Sequence, residues 1–345
     1  MSHPLSITLD DLHYRTQEYA HDCSDMIVSS HNLNFHPDRL VTSADGNNPT
    51  VALGRLNDWA LSQIEGRLDA PARWMNDPEH CPDELRSTML DFLTAVRPEM
   101  QLLTRLKGEN IRAVLSDQYT PYDNVQLLDM VVLAMQASHY QPEVHRPEVG
   151  DNLRAYVLLP NITFGNDTPD QYGHGGLHPA VYVRNSEIGN GKVRITSAVY
   201  RMVCGNGVIY GWNEEESFEI RHRFIKEAMM QTLVADALAT SLKMSEQAAN
   251  DFIASQNLHV DPKQLDNIVD TWAEKYGITV EAKENWLATI TGEATSYGRT
   301  NDPRVFDLVN AATYVAQNRP TDEREQMERL SGDLLRSRTY SVEEE

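Results

Sequence analysis

The chain is poor in cysteine and in positive charge, and it has no long apolar run. Its three cysteines, Cys23, Cys81 and Cys204, form no CxxC pair and cannot all be bridged. That argues against a secreted disulfide framework and predicts a reducing compartment, with the cytoplasm as the default. Only 30 Lys and Arg stand against 51 Asp and Glu, a net charge of -21. Most of the surface therefore repels nucleic acid and anionic membrane, and any nucleic-acid site has to be a local basic patch. The longest apolar run, around Leu127 to Met135, is far short of a bilayer span, and the opening MSHPLSITLDDLHYR lacks both a basic and an apolar signal region. No membrane role is expected. Internal repeats are absent, and the glycine pairs Gly189-Gly191 and Gly205-Gly207 do not match a phosphate-binding fingerprint leading into a helix. No cofactor is expected.

What remains is an ordinary globular composition, with 345 residues long enough for one large domain or two. Helical spacing near Ala60 to Leu68 and Asp83 to Val96, separated by the turn cluster SADGNNPT from a His-rich start, predicts an α-rich segment over 1–99. From 100 to 247 an α+β core is expected. There NIRAVLSDQY reads as a strand, PYDNVQLLDMVVLAMQA as a helix capped by Asp123, and NLRAYVLLPN as a second strand. PAVYVRNSE and KVRITSAVYRMVC form a hairpin through IGNG, where both Asn190 and Gly191 can take positive φ. The predicted fold is α+β, a central antiparallel sheet with a β-α-β-β-β core flanked by helices. A helical region over 248–345 follows a long helix from about Phe218 to Lys243. Further helices start at Pro262 and Pro303 and behind Thr321 and Asp322.

The hairpin concentrates positive charge in an acidic chain: Arg184, Lys192, Arg194 and Arg201 lie within 18 positions of one another. Alternation puts Lys192, Arg194, Thr196, Ala198 and Tyr200 on one face, read as the wetter one, and Val193, Ile195, Ser197, Val199 and Arg201 on the other. With a loop of two or four residues, Glu187 would sit beside Lys192 and Arg194, and Arg184 would join Arg201 on the apolar face. There a carboxylate such as Asp117 or Asp123 would partner them. Arg221, His222, Arg223 and Lys226 open the expected long helix and form a second basic cluster. Tyr182, Tyr200, Tyr210 and Trp212 lie between the two, and aromatic residues interleaved with cations suit sequence-tolerant binding of single strands. Arg184, Arg201 and the aromatic residues also fit a paired, buried core, and Arg221 to Lys226 a solvated helix turn whose charges Glu214 to Glu216 balance; the sequence leaves both readings open.

Four stretches, RAVLSDQYTPYDN (Arg112 to Asn124), NSEIG (Asn185 to Gly189), YRMVCGNG (Tyr200 to Gly207) and IRHRF (Ile220 to Phe224), resemble the phage/plasmid-like family called domain of unknown function 932. LVNAATYVAQ is similar to a weaker tail pattern of that family. The resemblance implies a mobile-element setting and transfers no residue roles, since the family's function is unknown. A sheet followed by a long helix also looks like the core of RecT and Erf type single-strand annealing proteins, a likeness of topology alone.

The expected function is a non-enzymatic DNA-metabolism and recombination protein of a phage or plasmid. It would bind single-stranded DNA through Arg184, Lys192, Arg194, Tyr200, Arg201, Arg221, Arg223 and Lys226, as an oligomer that promotes annealing. One alternative is an acidic module that mimics DNA and docks on a host or phage protein. The second is a metal-dependent hydrolase built on His174 and His178, for which no third ligand is visible, so no metal is expected. Cys204 with His222, and Ser116 with Asp117 and His139, lack the motif context of a catalytic nucleophile, and Cys204 is read as a buried strand residue.

Overall fold

The computed structural model describes residues 6–44, 50–137, 141–164, 176–201, 206–210, 218–223, 227–296 and 301–337. In chain order they form β1 (Ile7–Thr8), α1 (Leu9–Ala20), β2 (Cys23–Ser29), β3 (Leu33–Phe35), β4 (Leu40–Ser43), β5 (Val51–Leu56), α2 (Asp58–Arg67), α3 (Ala72–Met75), α4 (Asp83–Val96), β6 (Gln101–Lys107), β7 (Asn110–Ser116) and α5 (Asn124–Ala137). Then come β8 (Glu143–Val149), β9 (Asn152–Leu158), β10 (Leu177–Ser186), β11 (Val193–Arg201), β12 (Asn206–Ile209) and β13 (Phe218–Ile220). Five helices complete the chain: α6 (Glu227–Ala254), α7 (Leu265–Tyr276), α8 (Val280–Ser296), α9 (Val305–Ala316) and α10 (Thr321–Arg336). None of the helices among the described residues is long and apolar enough to cross a membrane.

The fold is α+β, built on two sheets where the sequence suggested one. The smaller has the order β2-β6-β7-β5-β4-β3 and is antiparallel except for β5 and β7. The larger runs β1-β8-β9-β10-β11-β12 and is antiparallel throughout, with β13 also pairing β11. The strand NIRAVLSDQY is β7, in the smaller sheet, so the expected β-α-β-β-β unit is divided between the two. The segment 1–99, read as helical with polar loops, supplies four strands to the smaller sheet; short runs such as LNF and LVTS carry too little periodicity to be seen.

Local chemistry accounts for several boundaries. Thr8 and Asp11 form a reciprocal capping box at the start of α1, at 3.0 and 3.2 Å, and Asn57 caps α2 through the Ala60 amide at 2.7 Å. Gly277 closes α7 in the left-handed conformation, φ 63°. The Asp-Pro pairs at 261–262 and 302–303 lie in the turns before α7 and α9, which begin at Leu265 and Val305. The long helix is shorter at its front than expected. Phe218–Ile220 pairs with β11, Arg221 to Arg223 form a turn, and α6 begins at Glu227.

Both faces of the larger sheet are covered. Val181, Val183, Val193 and Ile195 pack with residues of α1, α5 and α6 in one core cluster. α6 continues past the sheet, so that its Ala248, Ala249 and Phe252 join the core of the C-terminal helices. On the opposite face α10 lies against Tyr156 and Tyr182. A side chain at Gly332 of α10 would come within 1.9 Å of the Ile209 carbonyl oxygen, so the helix meets β12 backbone to backbone.

Candidate functional site

The turn between β10 and β11 is held by the smaller sheet. Trp59 and Gln63 on α2 both donate to the Ile188 carbonyl, at 2.9 and 2.8 Å. Ile188 itself packs on Leu103, Ala113 and Leu115. Positive φ falls at Gly189 (78°), and neither Asn190 nor Gly191 adopts it, contrary to the reading of IGNG. A Cβ at Gly189 would approach Leu115 to 2.6 Å, so both conformation and space require glycine there.

Beneath the turn runs a buried ionic network. Arg112 of β7 pairs with Glu187 at 2.5 Å and Asp151 at 3.1 Å. Arg105 of β6 pairs with Asp25 at 2.9 Å and Asp123 at 2.5 Å, and donates to the Glu187 carbonyl at 2.8 Å. Glu187 also receives the Asn124 amide at 2.7 Å, while Asn185 donates to Asn124 and to the Tyr122 carbonyl. Burial pushes the Glu187 carboxyl up, and Asp123 adds to this, against the pull of the Asn124 amide and Arg112. Buried charges of this kind fix geometry, because removing one partner strands the other. Here they lock the hairpin tip, both sheets and the start of α5 into one unit.

On this base lies a pocket of about 410 Å³. Its walls come from α2 (Arg67), the end of β7 and the segment after it (Leu115, Ser116, Tyr119), the turn Gly189 to Lys192, and Arg221 to Arg223. No carboxylate is among these lining residues. Arg67 donates to the Val114 carbonyl at 3.0 Å, and Arg223 to Gln118. Neither they nor Arg221 has a carboxylate partner among the described residues, while Lys192 pairs with Glu219. Tyr119 and His222 stack with centroids 4.7 Å apart and planes 9° from parallel, and Tyr119 donates its hydroxyl to the Ser186 carbonyl at 3.0 Å. His222 is 4% exposed, and neither ring nitrogen has a hydrogen-bond partner among the described residues. Burial pushes its pKa down to about 4, with the Thr120 backbone opposing, so the ring is neutral at pH 7. The pocket thus joins three guanidinium groups at its walls to a neutral aromatic pair.

The sequence pattern of the domain of unknown function DUF932 matches residues 112–335, more than half of the chain. The chain belongs to the DUF932 family. No curated protein and no solved structure matches it. Three of the four stretches that carry the DUF932 likeness meet here: Arg112 to Asn124 and Asn185 to Gly189 build the buried network, and Ile220 to Arg223 closes the pocket. The fourth, which begins at Tyr200, lies further along β11 and on β12.

The other basic residues expected to bind in this DUF932 chain are placed differently. Arg184 is opposite Arg194 in the hairpin register and opposite Arg154 on β9. An odd number of residues separates Arg184 from Arg194, so Arg184 shares the face of Arg194 and Tyr200 and not that of Arg201. A two- or four-residue loop would have given the reverse. The face read as wet is buried: Tyr200 is 0% exposed and Tyr182 is buried with it, while Tyr210 is buried on the other face beside Val199 and Val208. Arg184 pairs with Glu325 at 2.6 Å, not with Asp117 or Asp123. Arg194 pairs with Glu219, because β13 brings that carboxylate opposite it, while Glu187 is taken by Arg112. Arg201 does face the apolar side, donating to the Asn310 carboxamide at 3.1 and 3.2 Å beside the Phe252 ring.

Of the predicted binding residues, the pocket unites Lys192, Arg221 and Arg223. Lys226, and with it Trp212, His139, His174 and Cys204, lies outside the described residues. Among the described residues no group of three or more His, Cys, Asp or Glu could hold a metal ion. Sequence reasoning missed Arg67 and Tyr119. Arg67 ends a helix nearly 50 positions before the rest of the site and gives no local signal. Tyr119 sits inside the stretch RAVLSDQYTPYDN, which offered the clue.

Proposed function

We propose that this chain binds single-stranded DNA at the turn between β10 and β11, without chemistry of its own. The observation that carries the reading is the convergence of Arg67, Arg221 and Arg223, none with a carboxylate partner among the described residues, in a chain of net charge -21. Cations that meet no carboxylate among the described residues can attract a polyanion locally, and a guanidinium offers the paired donors that phosphate accepts. Arg221 and Arg223 are exposed and within reach of a backbone, and Tyr119 with His222 supplies aromatic surface for a base. Phage or plasmid DNA metabolism, with annealing by an oligomer, is the setting we attach to this activity from the family resemblance.

A salt-dependent titration with single-stranded and duplex DNA tests it. The Arg221→Ala, Arg223→Ala double variant should weaken single-strand binding and reduce the slope of log affinity against log salt by about 0.7 for each phosphate no longer neutralised. An unchanged slope, or no binding of either DNA at low salt, overturns the reading. The latter result would favour an acidic module that docks on a basic protein.

A further inference from the structure

Among the described residues the sheet edges are short, bulged or covered, with one exception. An edge strand offers unpaired amides and carbonyls to any chain that comes alongside, so folded proteins shorten it, bend it, set proline or lysine in it, or cover it. The larger sheet begins at β1, two residues long, and ends at β12, four residues long and in backbone contact with α10. Where β8 runs on past β1 it carries a bulge between His145 and Glu148, with Pro147 inside it. The smaller sheet ends on one side at β3, three residues long. On its other side it ends at β2, which pairs with β6 over all seven of its residues without a register shift. Its sequence, CSDMIVS, contains neither proline nor lysine. Ser24, Asp25, Met26 and Ile27 are exposed in succession, Met26 at 42% and Ile27 at 63%, and because neighbours alternate, an apolar side chain flanks the edge on each face.

We propose that β2 pairs antiparallel with β2 of a second copy of this chain, joining the two smaller sheets into one. Charge is the first support. A chain of net charge -21 repels its own copy over most of its surface and can meet it only where that charge is locally balanced. β2 carries one charge, Asp25, which Arg105 of β6 pairs at 2.9 Å, and Lys107 of β6 stands opposite Cys23. Register is the second support. Residues whose backbone groups point outward must meet others that point outward, which centres the twofold axis on a residue, and Met26 is the centre that pairs all seven positions. Met26 then faces the partner's Met26, Asp25 faces the partner's Ile27, and no like charges stand opposite each other. The third support is apolar surface beside the edge. A seven-residue ribbon is small for a stable interface. On the Met26 face of the sheet, α4 shares a core with Val28 through Leu90 but leaves Phe92 and Val96 exposed. The end of α4 is tied to the end of β2 by His31, whose ring bonds the Arg97 carbonyl at 3.0 Å. Such an axis stands normal to the sheet and preserves its faces. Ile27 shares its face with Leu103, on which Ile188 of the hairpin turn packs, so the two copies carry their turns on the same side of the joined sheet.

Sedimentation equilibrium of the full chain without DNA, over about 1 to 100 μM, tests it. The unaltered protein should reach twice the mass of the chain, and the Met26→Lys, Ile27→Lys double variant should stay monomeric across that range with an unchanged circular dichroism spectrum. Met26→Cys tests the register. The axis brings that residue to about 5 Å from its own copy between Cα atoms, within disulfide reach, so mild oxidation should give a covalent dimer that the unaltered protein, with its native cysteines, does not give. Ser24→Cys, exposed on the same strand but about 13 Å from its own copy in this register, should not cross-link. A monomer at every concentration overturns the proposal and leaves the edge to a different chain. A dimer that survives both lysines, or one that cross-links through Ser24→Cys and not through Met26→Cys, overturns it as well. Should the lysine variant fail to fold, the cross-link decides. No DNA is present, so loss of this interface and loss of the single-strand reading are separate results.

Discussion

Two clusters of arginine lie on this molecule, and they have opposite surroundings. Under α10, Arg146 meets Glu328 at 3.3 Å, Arg184 meets Glu325 at 2.6 Å, and Arg154 is shared among Glu148, Asp322 and Glu325. Tyr156 and Tyr182 donate to the same helix, at 2.6 Å to Glu328 and 2.8 Å to Glu325. At the hairpin turn, Arg67, Arg221 and Arg223 face a pocket with no carboxylate in its lining. The residue type is the same, and Arg184 of the first set even stands next to the turn, opposite Arg194 in the last pair of the hairpin register. What differs is whether a distant segment crosses over with acid, so a basic residue reads as a binding residue only after that crossing is known.

The closed cluster should show the largest effect. Glu325→Ala leaves Arg184 without its carboxylate and removes one partner of Arg154 and the acceptor of Tyr182. Because breaking a buried pair strands the remaining charge, unfolding by urea should reveal a loss of about 3 kcal/mol or more. A loss below about 1 kcal/mol would mean that apolar packing, and not these ion pairs, fastens α10 to the sheet.

A pair of opposed pH dependences separates the two regions next. The His222 pKa is about 4 in the fold against an ordinary 6.5, so its contribution is complete above pH 6.5 and disappears as pH falls towards 4. Glu328 is pushed by burial to about 7 from 4.5, against the pull of Arg146 and Tyr156; its contribution is complete below pH 4.5 and is lost as pH rises to 7. Each amounts to about 3 kcal/mol over its window. Between pH 4.5 and 6.5 the two nearly cancel. Subtracting the stability curve of Glu328→Gln from that of the unaltered protein should leave a fall with rising pH, and the same subtraction with His222→Ala a rise. Matching slopes of one sign would break the contrast.

How much of this was legible divides along the same line. The strands NLRAYVLLPN, PAVYVRNSE and KVRITSAVYRMVC and the helix of α5 were readable, because each carries its own period and turn signals. The second sheet was not, since β3 and β4 are three and four residues long. Three of the pocket's residues, Lys192, Arg221 and Arg223, could be named, because each sits in a basic cluster of the sequence. Burial of Arg184 could not, because its carboxylate partner Glu325 lies over 120 positions away. Asp322, Glu325 and Glu328 recur every three residues, an acidic stripe on one face of α10, and that stripe was the available signal.

A smaller effect tests the turn without touching charge. Gly189→Ala forces a side chain into positive φ and against Leu115, at a cost of about 1–2 kcal/mol. Because Ile188 is held by Trp59 and Gln63, the strain has to be taken up at the pocket wall, so single-strand affinity should fall with stability. Reduced stability with affinity intact would show that the turn is only a connection.

The smallest effect on stability is expected where the effect on binding is largest. Arg221 and Arg223 are exposed, Arg221 has no ion-pair partner among the described residues, and Arg223 gives up only a hydrogen bond to Gln118. Replacing both with alanine should therefore change unfolding free energy by less than about 0.5 kcal/mol, as for surface positions without special contacts. The contrast with Glu325→Ala is then complete: one substitution removes stability by exposing the charge on which α10 closes, the other leaves the fold alone and removes charge that the fold does not use. A melting temperature that drops as far in the arginine double variant as in Glu325→Ala would place Arg221 and Arg223 among the structural pairs, and the cluster at the turn would have to be read like the one under α10.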